Sequence, residues 1–315
     1  MKKYISIILA VVLSICGLSA CGQADSNQTT EKDEKQIKVV TTIFPEYDWV
    51  RQIAGEEADQ MDITMLLDNG VDLHSYQPTA EDIMKVSDCD LFVYVGGESD
   101  AWVDDALKQA KNKDMQVVDL LDVLGNSAKE EEVIEGMEPE EEEEEPEYDE
   151  HVWLSVKNAE VLSKAIADAL EKVDPDHKDI YQENASAYSE KLKDLDAKYQ
   201  EVVDGASQKT LLFGDRFPFR YLVDDYGLSY YAAFVGCSAE SEASFDTISF
   251  LANKVDELGL KDIMAIENSN QKIAKTIIEN TKEKNQKILT LDSMQSTTSD
   301  DVKNGTTYLS VMEKN

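Results

Sequence analysis

The feature that most constrains this chain is an alternation of strand-like and helix-like segments that occurs twice, on either side of one long helical stretch. Connecting consecutive parallel strands requires a crossover, so such alternation predicts parallel sheets covered by helices. The long stretch spans 179–203 and repeats apolar or small residues at three- or four-residue spacing, as an amphipathic helix does. We therefore predict an α/β fold with two parallel-sheet α/β lobes joined by one long helix.

The segment boundaries divide the chain into two lobes. Predicted strands are 37–42, 61–67, 91–95 and 116–120, then 210–213, 229–234, 263–267 and 288–291. Predicted helices are 46–54, 79–86, 101–109, 157–173 and 179–203, then near 219–225, 247–258, 271–282 and 302–312. The lobes are 38–176 and 206–315, with 177–205 as the linking helix. Ligands of open parallel sheets bind beyond the carboxyl ends of the strands, which predicts a site in the cleft between the lobes.

The first residues look like a processing segment. Lys2 and Lys3 precede an apolar run, and the sequence Leu-Ser-Ala-Cys ending at Cys21 resembles a bacterial lipoprotein box. We expect a signal peptide over 1–20, a lipid on Cys21, and a flexible tether over 21–37. This places the protein on the outer face of the cytoplasmic membrane. The alternative is an uncleaved transmembrane anchor, but the apolar run is short for a span of about 20 residues.

The chain is strongly acidic. It carries 65 acidic and 30 basic residues, a net charge of −35. A field of this sign repels nucleic acid and anionic lipid, which argues against both as partners. Fourteen of the residues in 130–150 are acidic, which predicts a disordered acidic loop. One hypothesis is that this loop gathers cations near the cleft; the alternative is a solvated loop without a specific role.

Few residues are available for metal chemistry. His74 and His151 lie just before predicted helices, in loops where ligands bind, whereas the surroundings of His177 indicate a surface residue. No local zinc finger, metalloprotease helix, EF-hand loop or phosphate-binding loop is present in the sequence. Cys89 and Cys237 could pair in an oxidising compartment, but two cysteines do not form a disulfide framework, and free thiols are the favoured prediction.

Short motifs in a fixed order resemble the zinc- and manganese-binding solute receptors of ABC importers. The resemblance spans 38–315, and its clearest motifs are His-Ser-Tyr-Gln-Pro-Thr from His74 and His-Val-Trp-Leu from His151. Further matching segments are 39–45, 97–102, 174–184, 221–228 and 308–315. The resemblance implies a rigid linking helix and a metal site in the interlobe cleft, with two ligands from each lobe. His74, His151 and Asp292 match three family ligands, a set that suits Zn²⁺ and tolerates Mn²⁺.

The remaining ligand position departs from the family pattern. The family has His or Glu three residues before the Phe of a Phe-x-Tyr-Leu segment, and this chain has Arg216 there. Arginine stays cationic and cannot ligate a metal. The alternatives are water, an acidic residue or a thiolate, and an acid could instead be held by Arg216. The candidate side chains are Asp215, Glu240, Glu242 and Cys237.

The resemblance implies a receptor that captures Zn²⁺ and delivers it to a membrane permease driven by an ATPase. We expect a monomer that catalyses no reaction. The alternatives are a manganese receptor of the same family, a secreted zinc hydrolase, and an adhesive surface lipoprotein whose acidic loop buffers calcium. The hydrolase reading lacks an obvious general base near either His74 or His151 in the sequence.

Overall fold

Two parallel four-stranded sheets form the framework of the protein, seen in a computed structural model that describes residues 36–137, 147–238 and 242–315. The first sheet has the strand order β2-β1-β3-β4, and all its neighbours run parallel. Its strands are β1 (Lys38–Thr41), β2 (Asp62–Met65), β3 (Leu91–Tyr94) and β4 (Gln116–Asp119).

The second sheet repeats this arrangement, with the strand order β6-β5-β7-β8 and parallel pairing throughout. Its strands are β5 (Thr210–Phe217), β6 (Ser229–Val235), β7 (Asp262–Ile266) and β8 (Lys287–Leu291). The predicted fold class is confirmed, and each predicted strand overlaps an observed one. The largest difference is β5, which continues four residues beyond its predicted end at 213.

Helices cover both sheets. Those before the linking helix are α1 (Phe44–Ala54), α2 (Ala80–Asp88), α3 (Val103–Lys108), α4 (Leu120–Leu124) and α5 (Val156–Val173). The linking helix is α6 (Lys178–Gly205), and it is followed by α7 (Arg220–Tyr226), α8 (Phe245–Leu258), α9 (Lys272–Asn280), α10 (Ser299–Lys303) and α11 (Tyr308–Lys314). The short helix α4 was not predicted.

The single helix predicted over 302–312 is wrong, because the chain forms α10 and α11 there. Gly305 lies between them with φ of 99°, a conformation that an α-helix does not allow. Thr307 then starts the new helix, since its hydroxyl accepts the backbone N–H of Ser310.

The linking helix α6 has 28 residues and a length of about 42 Å. Its buried side chains are Tyr181, Tyr188, Leu192, Leu195 and Val203. They pack α6 against α1 and α5 of the first lobe and against α7 and α11 of the second. Helix α6 therefore contributes to the cores of both lobes, as expected of a helix that links them.

Helix α11 belongs to the second half of the chain but packs against the first lobe. Tyr308 is fully buried, and its backbone N–H donates to Asp48 Oδ2 at 2.9 Å. Its ring meets Trp49 edge-on at 5.2 Å between centroids, and its hydroxyl donates to the Trp153 carbonyl at 2.7 Å. One apolar core consequently runs through both lobes, and residues 36–315 form one compact unit.

The two ends of the acidic segment are hydrogen-bonded to each other. Glu130 and Tyr148 form an antiparallel bridge, and the Glu131 N–H donates to the Glu147 carbonyl at 2.8 Å. The disorder predicted for 130–150 therefore does not extend to these ends, because backbone pairing offsets their charge repulsion. Residues 138–146 lie outside the described part of the chain.

The predicted signal peptide and the lipidation site Cys21 also lie outside the described residues, which begin at 36. Within the described ranges, every helix is too short or too polar to cross a membrane.

Candidate metal centre

The structure brings His74 and His151 together, 77 positions apart in sequence. Their Nε2 atoms are 3.1 Å apart, and their ring centroids are separated by 5.0 Å. His74 lies in a 3-10 turn (Leu73–Ser75) that Asp72 caps by accepting the His74 N–H. His151 directly precedes a second turn (Val152–Leu154) and is completely buried. Both rings are thus held in or beside short turns, of which the one that carries His74 is capped by Asp72.

Each histidine has a carboxylate beside its other ring nitrogen. Asp149 Oδ1 is 2.9 Å from His151 Nδ1, and Glu150 Oε2 is 3.3 Å from His74 Nδ1. Ser99 Oγ also lies 2.9 Å from His74 Nδ1. A carboxylate that accepts the Nδ1–H leaves the Nε2 lone pair free, which is the usual support of a metal-binding histidine. Two such lone pairs 3.1 Å apart repel each other unless a proton or a cation lies between them.

Burial and charge act in opposite directions on these groups. Burial lowers the pKa of His151, but the neighbouring Asp149 outweighs it and the pKa is raised overall. Burial raises the pKa of Glu150, but His74 and Ser99 hold it below its ordinary value. Glu150 therefore stays ionised next to the His74 ring, which adds negative charge beside the imidazole pair.

Cys237 supplies a third donor from the second lobe. A ligand atom from each of His74, His151 and Cys237 lies within 4.8 Å of the other two. The thiol sits just after β6, and Cys237 and Cys89 are both free, as the sequence favoured. Burial raises the pKa of Cys237, and Glu131 raises it further. The sulfur is therefore a thiol until a cation displaces its proton.

Gly236 allows the turn with Cys237 to approach His151 closely. A Cβ at this position would lie 2.9 Å from both Cε1 and Nδ1 of His151 and 3.0 Å from the Phe217 carbonyl oxygen. Because the His151 ring is fully buried, it has no free space into which to move. The absence of a side chain at 236 is therefore required for the thiol to face the imidazoles.

The other carboxylates predicted for the open ligand position have different partners. Asp215 Oδ1 accepts the Arg216 N–H at 3.0 Å, so this side chain turns back to its own backbone. Glu242 is exposed and pairs with Lys272 Nζ at 2.7 Å. Glu240 lies outside the described residues. Of the three candidates within the described residues, Cys237 is the one that lies with the histidines.

Asp292 follows β8 but is not part of this cluster. Its Oδ1 accepts the Met294 N–H at 2.8 Å. Burial raises its pKa, the charge of Lys314 lowers it and that of Asp301 raises it, while Asp292 in turn raises the pKa of Glu267. Its ligand role stays a prediction from the family resemblance.

Arg216 crosses from β5 to the first lobe. Its Nη2 lies 2.5 Å from Asp72 Oδ2, and Asp72 Oδ1 is 4.0 Å from His74 Nε2. Burial acts to raise the pKa of Asp72, but Arg216 and His74 lower it below its ordinary value. Sequence reasoning missed Asp72; its only signal was an acidic residue two positions before a predicted ligand.

Two cavities have walls from both lobes. One of about 260 Å³ is bordered by Asp72, Arg216 and Glu267, and one of about 770 Å³ by 128–132, Tyr148 and Arg220. The cluster itself joins His74 and His151 of the first lobe to Cys237 of the second, so it lies at the boundary between the lobes, where the sequence predicts a metal.

The sequence profile of a family described as "Zinc-uptake complex component A periplasmic" matches residues 39–315. The chain belongs to this ZnuA family. The resemblance inferred from the histidine motifs is confirmed, and the match covers both lobes and the linking helix.

Curated relatives agree with this assignment. The chain is 34% identical over 319 residues to the zinc-binding lipoprotein AdcA of Streptococcus pneumoniae, covering 100% of this chain and 60% of AdcA. It is 30% identical over 313 residues to the high-affinity zinc uptake system protein ZnuA of Bacillus subtilis, covering 96% of this chain and 93% of that protein. The chain thus spans about 60% of the length of the AdcA relative and nearly all of the Bacillus one.

Solved structures of ZnuA-like proteins share the fold. The Zn(II)-bound ZnuA-like domain of Streptococcus pneumoniae AdcA has a TM-score of 0.69 and 31% identity, over 89% of this chain and 96% of that one. The metal-dependent lipoprotein YcdH of Bacillus subtilis has a TM-score of 0.71 and 28% identity over the same shares. The laminin-binding protein Lmb of Streptococcus agalactiae, described as an adhesin with metal transporting activity, has a TM-score of 0.70 and 25% identity.

Proposed function

We propose that this chain is an extracytoplasmic substrate-binding lipoprotein that captures Zn²⁺ in the interlobe cleft and delivers it to an ABC-type metal importer. The observation that carries the proposal is the pair of imidazoles whose Nε2 atoms face each other at 3.1 Å while carboxylates flank both Nδ1 atoms. Such a pair directs two ring nitrogens at one point, where a cation can take the place of a shared proton. The role is capture and delivery, and it requires no chemical reaction.

The proposed ligands from this cluster are His74, His151 and Cys237. Two imidazoles and one thiolate favour Zn²⁺, because Mn²⁺ prefers oxygen donors. The names of the AdcA and ZnuA relatives point to the same metal.

The proposed site joins the lobes through the ion. The histidines belong to the first lobe and the thiol to the second, so release requires the lobes to separate. A lipid on Cys21 would keep the receptor beside its permease, which is powered by a cytoplasmic ATPase. We propose that the receptor acts as a monomer, since its ligand atoms come from one chain.

A zinc titration of the purified protein against a calibrated chelator tests this function. We expect one tight site that Cys237→Ala weakens strongly and that Cys89→Ala leaves unchanged, because Cys89 is buried away from the histidines. Cobalt bound in place of zinc would show a thiolate charge-transfer band that Cys237→Ala removes.

The same titration with manganese separates the metals. We expect manganese to compete only weakly. Equal affinity for both ions, or weak multi-site binding that is indifferent to Cys237 and to both histidines, would contradict the proposal.

A further inference from the structure

We propose that Asp72 is the fourth metal ligand and that Arg216 is the residue that positions it. This inference rests on the proposed function. His74, His151 and Cys237 supply three donors, whereas zinc usually takes four. Arg216 stands at the position where related receptors have a ligand, so the missing donor must come from elsewhere.

The distances place the Asp72 carboxylate beside the imidazole pair. Asp72 Oδ1 is 4.0 Å from His74 Nε2, the nitrogen that faces His151 Nε2 at 3.1 Å. Two donors on one tetrahedral zinc, each about 2.1 Å from the ion, lie about 3.4 Å apart. A shift of less than 1 Å therefore brings Oδ1 to ligand distance. The same oxygen accepts the backbone N–H of His74 at 3.1 Å, and this hydrogen bond holds Oδ1 close to His74.

Arg216 occupies the other carboxylate oxygen. Its Nη2 lies 2.5 Å from Asp72 Oδ2, which leaves Oδ1 directed at the histidines. Its Nη1 donates to the carbonyl of Ser238, the residue after Cys237, at 3.4 Å. One guanidinium thus contacts both the carboxylate of the first lobe and the turn that carries the thiol of the second. Fixing a ligand through its second oxygen is a common role of groups around a metal.

The charges favour the same assignment. Zn²⁺ bound by one thiolate and one carboxylate forms a neutral centre. A guanidinium beside the site would repel a bound cation if its charge were not offset, and Asp72 provides that offset at hydrogen-bond distance. An arginine is therefore compatible with a cation site here because it comes together with Asp72.

Two other carboxylates are alternatives that the test separates. Asp292 is the ligand predicted from the family resemblance, but it lies outside the cluster. Glu131 is near the thiol, but its Oε1 accepts the Cys237 N–H at 3.0 Å. Asp72 differs from both because the oxygen that Arg216 does not contact, Oδ1, is the one near a histidine Nε2.

The experiment compares Asp72→Asn with Asp292→Asn and Glu131→Gln in the full chain. Zinc affinity is measured by chelator competition, and the coordination geometry by the absorption spectrum of the cobalt-substituted protein. We expect Asp72→Asn to lower zinc affinity by about 100-fold and to change the cobalt d–d bands, because water replaces a carboxylate. Asp292→Asn and Glu131→Gln are expected to change both quantities little.

Arg216→Met tests the positioning role separately. We expect a loss of zinc affinity of about 10-fold, as for other groups that orient a ligand, with cobalt bands that still indicate four protein ligands. Arg216→Lys should recover part of the affinity, since an ammonium can reach one carboxylate oxygen but not also the Ser238 carbonyl.

The outcomes are distinguishable. An Asp72→Asn variant with native affinity and native cobalt bands would overturn the assignment, and a loss in Asp292→Asn instead would return the fourth position to the family residue. Both results leave zinc capture intact. Failure of the unmodified protein to bind zinc would instead refute the proposed function itself.

Discussion

The two lobes contribute to the proposed metal centre in different ways. On the first lobe, His74 and His151 each have a hydrogen-bonding partner on Nδ1, and both sit in or beside a short turn. On the second lobe, burial raises the pKa of the Cys237 thiol, and Arg216 stands where the family resemblance implies a ligand. In the proposed site, the first lobe is therefore arranged for a metal in advance, whereas the thiol of the second must lose its proton when the metal arrives. We expect an incoming ion to engage the imidazoles first.

The largest expected effect is the loss of an imidazole from the arranged lobe. His151→Ala removes a direct ligand, so zinc affinity should fall by more than the 10–100-fold typical of supporting residues. Chelator competition measures this loss. His177→Ala is the matched control, because that ring is partly exposed and bonded to Asp174 rather than to the cluster. A small loss in His151→Ala would mean that the imidazole pair is not the binding point.

Glu150→Gln tests whether the carboxylates prepare the first lobe. The change keeps the shape of the side chain but removes the charge beside His74 Nδ1, and zinc affinity should fall by about 10–100-fold. Glu150→Asp would shorten the reach while keeping the charge. If Glu150→Gln binds zinc as the native protein does, then the first lobe owes its arrangement to packing and not to its carboxylates.

Gly236→Ala tests how closely the two lobes must approach. The added methyl would lie 2.9 Å from the His151 ring, and overpacking of a filled site typically costs 1–3 kcal/mol. We expect zinc affinity to fall by about 10-fold through displacement of His151 from Cys237. Gly227→Ala serves as a control in the same lobe, since a Cβ there has open space around it, although its φ of 63° adds strain. Comparable affinities in the two variants would argue against the close approach.

The smallest effect on zinc binding is expected for Asp100→Asn, which instead changes the pH dependence of stability. Burial raises the pKa of Asp100 to about 7, and Glu150 contributes to the rise. In the unfolded chain the pKa of Asp100 is near 3.8. The stabilisation from its protonated carboxyl is therefore complete below pH 3.8 and is lost as the pH rises through 7. The Asp100→Asn variant has no carboxyl to ionise, so its free energy of unfolding does not fall in this way. For a pKa shift of this size, the fall amounts to about 4 kcal/mol.

Denaturant unfolding of the zinc-free protein at pH 4 to 8 measures that difference. The gap between the two free-energy curves should widen with pH up to about 8. Parallel curves would show that Asp100 is ionised in the fold at neutral pH.

The sequence was sufficient for the fold because its signals were local. The β-rich runs and the period of α6 each depend on neighbouring residues, so their boundaries were predicted to within a few positions. The division between α10 and α11 was missed because the apolar period continued past Gly305, whose backbone conformation is not visible in the pattern. The paired ends of the acidic loop were missed because charge alone says nothing about backbone hydrogen bonds.

The metal centre was only partly predictable, for a different reason. His74 and His151 stand in recognisable motifs, but the placement of Cys237 beside them, rather than Asp215 or Glu242, depends on how the chain turns after β6. The pair of Arg216 and Asp72 joins residues 144 positions apart and has no local signature. Contacts between the lobes depend on the assembled fold. A single sequence shows which polar residues are available for such contacts, but it does not show which of them pair.

The packing of Tyr308 against the first lobe has a consequence for synthesis of the chain. Asp48 and Trp49 both contact Tyr308, which lies 260 positions after Asp48 in the chain. Both contacts are missing until the ribosome has added Tyr308. A ribosome that has completed only the first lobe therefore carries an incomplete core with an apolar face still open to water. We expect the nascent protein to need protection from aggregation until late in translation, because domains generally fold as units and exposed apolar surface promotes aggregation.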